Sequence, residues 1–303
     1  MFRHGRKFLT GMILTLGALG LGGCGGEVTA PQVDPITAYR YTLEIANAGE
    51  RPSGSPVLAQ QADFIAATAR QFGATTRIND FEDDTPLGKM RFRNVIAEVP
   101  GRNTSQFVLI GCHYDTKKMF SHIHFVGAND GASGVGALLA MIKTAAKKKP
   151  PLTLRFVFFD GEESLYEYDH GDGLFGSRHY AAALEKSGEL KQCRAMILLD
   201  MIGDRDLDIT LPQGTDPDLA QRCFAAATKL GMTAKQVKWF KDDITDDHTP
   251  FKERGIPTID LIDFDYGPNN SWWHTSEDTI DKIAPESLAA AADLGLAIAY
   301  GLR

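Results

Sequence analysis

The feature that most constrains this chain is the run Leu154-Arg155-Phe156-Val157-Phe158-Phe159, followed at once by Asp160-Gly161-Glu162-Glu163. A short apolar run of this kind reads as a strand covered on both faces, which commits the chain to a sheet with layers above and below it. The run then ends in paired carboxylates. Two ionised carboxylates at the end of a buried strand are costly unless a cation or a shared proton lies between them. An isolated Asp-Gly-Glu-Glu is an ordinary solvated turn. The inference rests on other strands ending the same way.

Strands are expected over 75–80, 91–99, 106–110, 195–199 and 257–262. The third leads into His113-Tyr114-Asp115, the fourth ends at Asp200, and the last precedes a loop holding Trp272-Trp273-His274-Thr275. Helical patterns lie between them, over 34–48, 57–72, from Asp130 to the Lys147-Lys148-Lys149 run, 177–187 with Ser177 as cap, 216–230, a short one after Asp246-Asp247-His248, and 285–302. Asp130 also reads as a helix cap, and the three lysines complement a helix C-terminus. Apolar strands alternating with helices imply an α/β fold: a mostly parallel mixed central sheet with helices on both faces, in a single domain. In such sheets ligands bind beyond the carboxyl ends of the strands, where these acids and histidines converge.

The chain of 303 residues carries a net charge of -7, which argues against a nucleic-acid partner. Its start reads as an address. Arg3, Arg6 and Lys7 precede an apolar run from Phe8 to Leu21, too short for a span of about 20 residues. Leu21-Gly22-Gly23-Cys24 then resembles a bacterial lipobox. The expected organisation is a lipoprotein signal over 1–24, a flexible tether over 25–33 and the folded domain over 34–303, exported and anchored to the cell-envelope membrane through lipidated Cys24. Of the other cysteines, Cys193 with Cys223 is the pairing expected of an exported protein, although spacing assigns no bond.

Two histidines and at least four acids at strand ends suit a hard nitrogen and oxygen metal site, for which Zn²⁺ is the default ion. The second of the paired glutamates is then a ligand, and Glu162 stands beside the metal as general acid and base.

Several motifs carry a resemblance: His113-Tyr114-Asp115-Thr116-Lys117, the segment from Phe120-Ser121-His122 to Ala128, Gly-Ala-Asn-Asp-Gly around Asp130, Asp160-Gly161-Glu162-Glu163, Leu199-Asp200, Asp246-Asp247-His248-Thr249-Pro250-Phe251 and Trp273-His274-Thr275. From Asn94 onward the chain resembles the zinc aminopeptidase superfamily and, more closely, its glutaminyl-peptide cyclotransferases (glutaminyl cyclases). The resemblance implies that Asp130, Glu163 and His274 bind one zinc, that Glu162 shuttles a proton, and that Asp200 and Asp246 complete an acid network. It implies that Trp273 walls the substrate pocket, with Tyr168 where the animal cyclases carry a Trp. It implies a cis Asp130–Gly131 peptide. Their disulfide is not available, because Val135 stands in place of the second Cys. The implied substrate is a peptide or protein N-terminal glutamine, and a monomer is expected. The alternative within the superfamily is an aminopeptidase with two zincs that also uses His113 and Asp200, with Asp115 beside them.

Overall fold

The computed structural model describes Met1 and residues 29–119, 122–168 and 171–303. The expected signal and Cys24, and Phe120 and Ser121 of the expected motif, lie outside the described residues.

In chain order the elements are α1 (Pro35–Ala46), α2 (Pro56–Gln71), β1 (Thr75–Thr85), β2 (Gly88–Val99), β3 (Asn103–His113), α3 (Ala132–Lys147), β4 (Leu152–Phe159), α4 (Phe175–Ser187), β5 (Cys193–Asp200), β6 (Ile209–Leu211), α5 (Pro217–Lys229), β7 (Val237–Trp239), α6 (Thr249–Lys252), β8 (Thr258–Ile262) and α7 (Pro285–Gly301). Three helices begin the same way, with a capping side chain followed by proline. Asp34, Ser55 and Asp216 each accept a backbone N–H of the first turn, ahead of Pro35, Pro56 and Pro217. The cap satisfies an orphan donor, and proline sits where its missing N–H costs nothing.

The start of α4 corrects the expectation for Ser177. The helix begins at Phe175, with Leu174 at φ 53° in the cap position and no side-chain cap. Tertiary hydrogen bonds do the capping work: Leu174 N–H donates to Glu162 O at 2.9 Å and Phe175 N–H to Gly161 O at 2.8 Å. Asp130 likewise caps nothing, since the cap residue of α3 is Gly131. Its carboxylate is turned toward two histidines.

The strands form one sheet in the order β1-β2-β4-β3-β5-β8-β6-β7. The central β4-β3-β5-β8 block is parallel, β1 and β2 are antiparallel, and β6 is antiparallel to β8 and parallel to β7. Both β6 and β7 are three residues long, too short for a recognisable alternation.

Period-two alternation divides the core. Val108, Ile110 and Cys112 of β3 face the helices α1, α2, α3, α5 and α7. Phe107 and Leu109 face α4 and α6. This division also corrects the expected Cys193–Cys223 bond. Both thiols are free. Cys193 packs on the α4 and α6 face and Cys223 on the opposite one, so the sheet itself separates them. Among the described residues no helix is long and apolar enough to cross a membrane.

Candidate active site

The carboxyl ends of β3, β4 and β5 deliver His113, the Asp160–Glu163 turn and Asp200 to one edge of the sheet. Each is held by its backbone. Gly161 takes φ 76°, and a Cβ there would lie 2.6 Å from the Phe92 ring. Asp115, just past β3 and fully buried, accepts Glu162 N–H on Oδ1 at 3.2 Å and Glu163 N–H on Oδ2 at 3.3 Å. Asp115 thus anchors the backbone of the paired glutamates.

Asp130 is positioned by residues from distant parts of the chain. Asp278 accepts Asn129 N–H at 2.7 Å and Asp130 N–H at 3.0 Å, and Tyr266 donates to the same carboxylate at 2.9 Å. The fully buried Arg51 donates to the carbonyls of Tyr114, Val126 and Gly127 at 2.8, 2.5 and 2.9 Å. Every described peptide bond is trans, including Asp130–Gly131, which corrects the expected cis bond. The chain turns instead at Gly131, with φ 93°, where a Cβ would lie 2.7 Å from Asp115 O.

Asp130 bridges two histidines. Its Oδ2 lies 3.2 Å from His274 Nε2 and its Oδ1 lies 3.1 Å from His113 Nε2. His274 Nε2 is also 3.1 Å from Glu163 Oε1, and His113 Nε2 is 3.1 Å from Asp200 Oδ1. Asp130, Glu163 and His274 therefore form one group able to hold a metal, and His113, Asp130 and Asp200 a second that shares Asp130. The first group fits a divalent cation by its donors, one imidazole and two carboxylates. Asp130 Oδ2 and Glu163 Oε2 are buried there without a hydrogen-bond partner. His274 is fixed by its own strained backbone, φ 55°, and by stacking on Trp273 at 4.1 Å between ring centroids.

The electrostatics point the same way. Burial acts to lower the pKa of His274, but Glu163 and Asp130 outweigh it and raise the imidazole to about 10. A proton held that firmly is standing where excess negative charge calls for a cation. Burial would raise Asp130, yet His113 and His274 hold it below the usual carboxylate range. Burial pushes Glu162 well above that range; His113 opposes the shift, and Glu163, Asp247 and Asp200 add to it. Asp246 is likewise pushed up by burial, reinforced by Asp260, Asp200 and Glu162.

A cleft of about 460 Å³ opens onto this edge. Asp130, Glu162, Glu163, Asp200 and His274 line it, with Tyr168, Asp246, Phe264 and Trp273 on its walls. The sequence-derived residues thus meet at one edge of the sheet, with His113, 2% exposed, and the fully buried Asp115 beneath the lining. Arg51, Asp278 and Tyr266 join the site without a local sequence signal that marks them for it. Arg51 stands in a Pro-Gly-Ser turn with no periodic signal, and Asp278 follows Trp-His-Thr by only three residues without resembling a ligand.

Residues 94–299 match peptidase family M28. The chain is 30% identical over 292 residues to a glutaminyl-peptide cyclotransferase-like protein of Bos taurus, covering 85% of this chain and 73% of that one. Among solved structures it is similar to an Acidobacteriales bacterium glutaminyl cyclase, with 35% identity, a TM-score of 0.83, and 89% and 94% of the two chains covered. It is also similar to a Zn-dependent exopeptidase from Parabacteroides distasonis, with 27% identity, a TM-score of 0.80, and 90% and 99% covered. The chain belongs to peptidase family M28, among its glutaminyl cyclases.

Proposed function

We propose that this protein is a zinc-dependent glutaminyl-peptide cyclotransferase, closing the N-terminal glutamine of a peptide or protein to pyroglutamate with release of ammonia. The observation that carries the reading is Glu162. It is a buried acid in the cleft, adjacent to the Asp130, Glu163 and His274 group yet outside it, and its pKa is raised. Cyclisation needs a group of this kind, because one proton must be taken from the amine and returned to the departing nitrogen.

The donor set and the similarity to a Zn-dependent exopeptidase support zinc as the ion. Asp130, Glu163 and His274 would hold the zinc, which would supply Lewis-acid polarisation of the side-chain amide carbonyl. Glu162 accepts a proton from the α-amine as the nitrogen bonds to the side-chain carbonyl carbon. The same carboxyl then gives that proton to the amide nitrogen as its bond to carbon breaks, and ammonia leaves. Tyr168 O–H donates to Glu162 Oε1 at 2.6 Å and fixes where the proton is exchanged. Trp273 and Phe264 form an apolar wall that excludes water, so that the α-amine is the competent nucleophile. Asp200 and Asp246 supply the surrounding acid network.

One observation favours a second reading. His113, Asp130 and Asp200 form a second donor group, as an aminopeptidase with two zincs requires. We propose one zinc in the working enzyme, because His113 is closed off beneath the cleft and Asp130 already serves the open group. Incubation with a glutaminyl peptide and with leucyl-p-nitroanilide separates the readings. Ammonia release without loss of a residue is expected; nitroaniline release means a peptidase.

The Leu21-Gly22-Gly23-Cys24 motif further supports export and acylation at Cys24, which would anchor a monomeric enzyme at the cell envelope. Mass spectrometry of the mature N-terminus, with Cys24→Ala as the unmodified control, tests this.

A further inference from the structure

Behind the cleft lies a group of polar residues of which the proposed reaction uses only Asp246. Asp246, His248 and Asp260 each present one ligand atom within 4.8 Å of the others, and all three are buried. Asp260 comes from the middle of β8, on the side of the sheet opposite Ile259 and Leu261, and is fully buried. His248 and Asp246 come from the turn that enters α6, and they are 2% and 3% exposed.

These side chains lack partners in a way that protein interiors rarely tolerate. Both carboxylate oxygens of Asp260, Nδ1 of His248 and Oδ2 of Asp246 are buried with no hydrogen bond. Each such atom costs on the order of 1–3 kcal/mol, and more if charged. Among the described residues no lysine or arginine closes the cage. The nearby Lys252 is engaged by Asp243 at 2.8 Å, and Asp200 and Asp247 add further negative charge around Asp260.

We infer that Asp246, His248 and Asp260 form a second divalent-cation site, separate from both groups that share Asp130, and that zinc bound there inhibits the enzyme. Two carboxylates and a neutral imidazole form a neutral complex with Zn²⁺, the donor set that borderline ions prefer. Ligand bonds of about 2.0–2.2 Å place tetrahedral donors roughly 3.5 Å apart. His248 Nδ1 and Asp260 Oδ2 are already 3.7 Å apart. The cage therefore closes around the ion by side-chain movement of about 1 Å or less on that edge, and the cleft gives entry because Asp246 lines it. Inhibition follows from the shared residue. An ion on Asp246 ties down a carboxyl that lines the cleft beside Glu162 and Asp200, and so withdraws it from the acid network around Glu162. The inference rests on the cyclase reading only for the inhibition; the binding stands without it.

The test is a zinc titration of the purified full-length enzyme, followed by equilibrium dialysis with metal analysis and by ammonia release. Wild type is expected to retain one equivalent after dialysis and to take a second, weaker one, with turnover falling at least tenfold as the second site fills. His248→Asn and the near-isosteric Asp260→Asn are expected to keep the first equivalent and weaken the second at least tenfold. His113→Asn is expected to keep the second. A wild-type protein that never exceeds one equivalent at millimolar zinc overturns the site. So does a second equivalent that His113→Asn removes and both cage variants keep. A second equivalent bound at the cage with turnover unchanged overturns the inhibition alone. Failure of glutamine cyclisation in singly loaded enzyme would count against the proposed reaction and leave the stoichiometry readable.

Discussion

The hydroxyl of Tyr168 donates a 2.6 Å hydrogen bond to Oε1 of Glu162, although the tyrosine itself is 42% exposed at the cleft wall. A bond donated to a carboxylate favours its charged form. Tyr168→Phe removes that bond and little volume. The expected result is a kcat about tenfold lower and an acid limb of the pH–rate profile shifted to higher pH, because the Glu162 carboxyl then holds its proton more firmly. KM should change little. An unmoved acid limb would show that Tyr168 only shapes the wall.

Glu162→Gln removes the proton carrier but no member of the donor group. Turnover should fall at least about 10²-fold while the zinc content stays at the wild-type level. Retained activity in a metal-replete variant would sink the role assigned to Glu162. Steady-state kinetics and metal analysis on one preparation decide it.

His274 and His113 contact Asp130 at 3.2 and 3.1 Å, yet they should behave differently. His274→Ala is expected to strip the metal, with a ratio of zinc to protein falling from near one toward zero after dialysis. His113→Ala should leave the metal in place and lower activity through lost packing and an unpaired Asp200. Loss of metal in both variants, from a wild-type ratio near two, would favour the two-zinc aminopeptidase.

The fold was legible because its strongest signals are local. The 3.6-residue stripe of α3 and the apolar run of β4, broken only by Arg155 in the stretch from Leu154 to Phe159, can be read without knowing their neighbours. The cap-and-proline starts at Asp34, Ser55 and Asp216 sharpen the helix ends. The donor residues were legible for a different reason: acids and histidines at the ends of apolar strands have few structural uses. What stayed hidden is long-range. Ser177 looked like a cap, but the Gly161 and Glu162 carbonyls took that role from another element. Cys193 and Cys223 looked like a pair until the sheet placed them on opposite faces. Asp260 lies inside the expected strand over 257–262, and only the sheet brings it to His248.

Asp263, at the end of β8, provides a pH test away from the donor groups. Burial raises its carboxyl to about 7, and Asp204 and Asp208 add to the shift, while the Asp208 N–H it accepts at 2.9 Å opposes it. A raised acid stabilises the fold below its unfolded value near 4, and that contribution is lost as pH rises through about 7. Asp263→Asn cannot ionise. Urea denaturation should show the variant gaining on wild type between pH 4 and 8, by roughly 1–3 kcal/mol at the upper end. A constant difference across that range would mean that Asp263 is not protonated in the native state.

Arg51 carries the last prediction. Its guanidinium is fully buried and holds three carbonyls closely, Tyr114 O on one side and Val126 O and Gly127 O on the other, besides a longer 3.4 Å bond to Gly49 O. It joins the end of β3 to the loop that delivers Asp130. Burial lowers its pKa to about 10, Asp278, Asp115 and Asp130 oppose the shift, and it remains charged at neutral pH. Its positive charge therefore stabilises the acids of the site as well as the loop. Lysine offers a point charge without the planar fork, so it cannot meet all three carbonyls at once. Arg51→Lys should fold with a loss of about 2–3 kcal/mol, whereas Arg51→Met leaves buried acceptors and uncompensated acids and should cost about 3–5 kcal/mol. Zinc should partly rescue the stability of Arg51→Lys, because the ion binds only the folded loop and supplies the charge the site lacks. Denaturation curves with and without zinc test this: an Arg51→Lys protein as stable as wild type and as slightly affected by zinc would show that the loop holds Asp130 without Arg51.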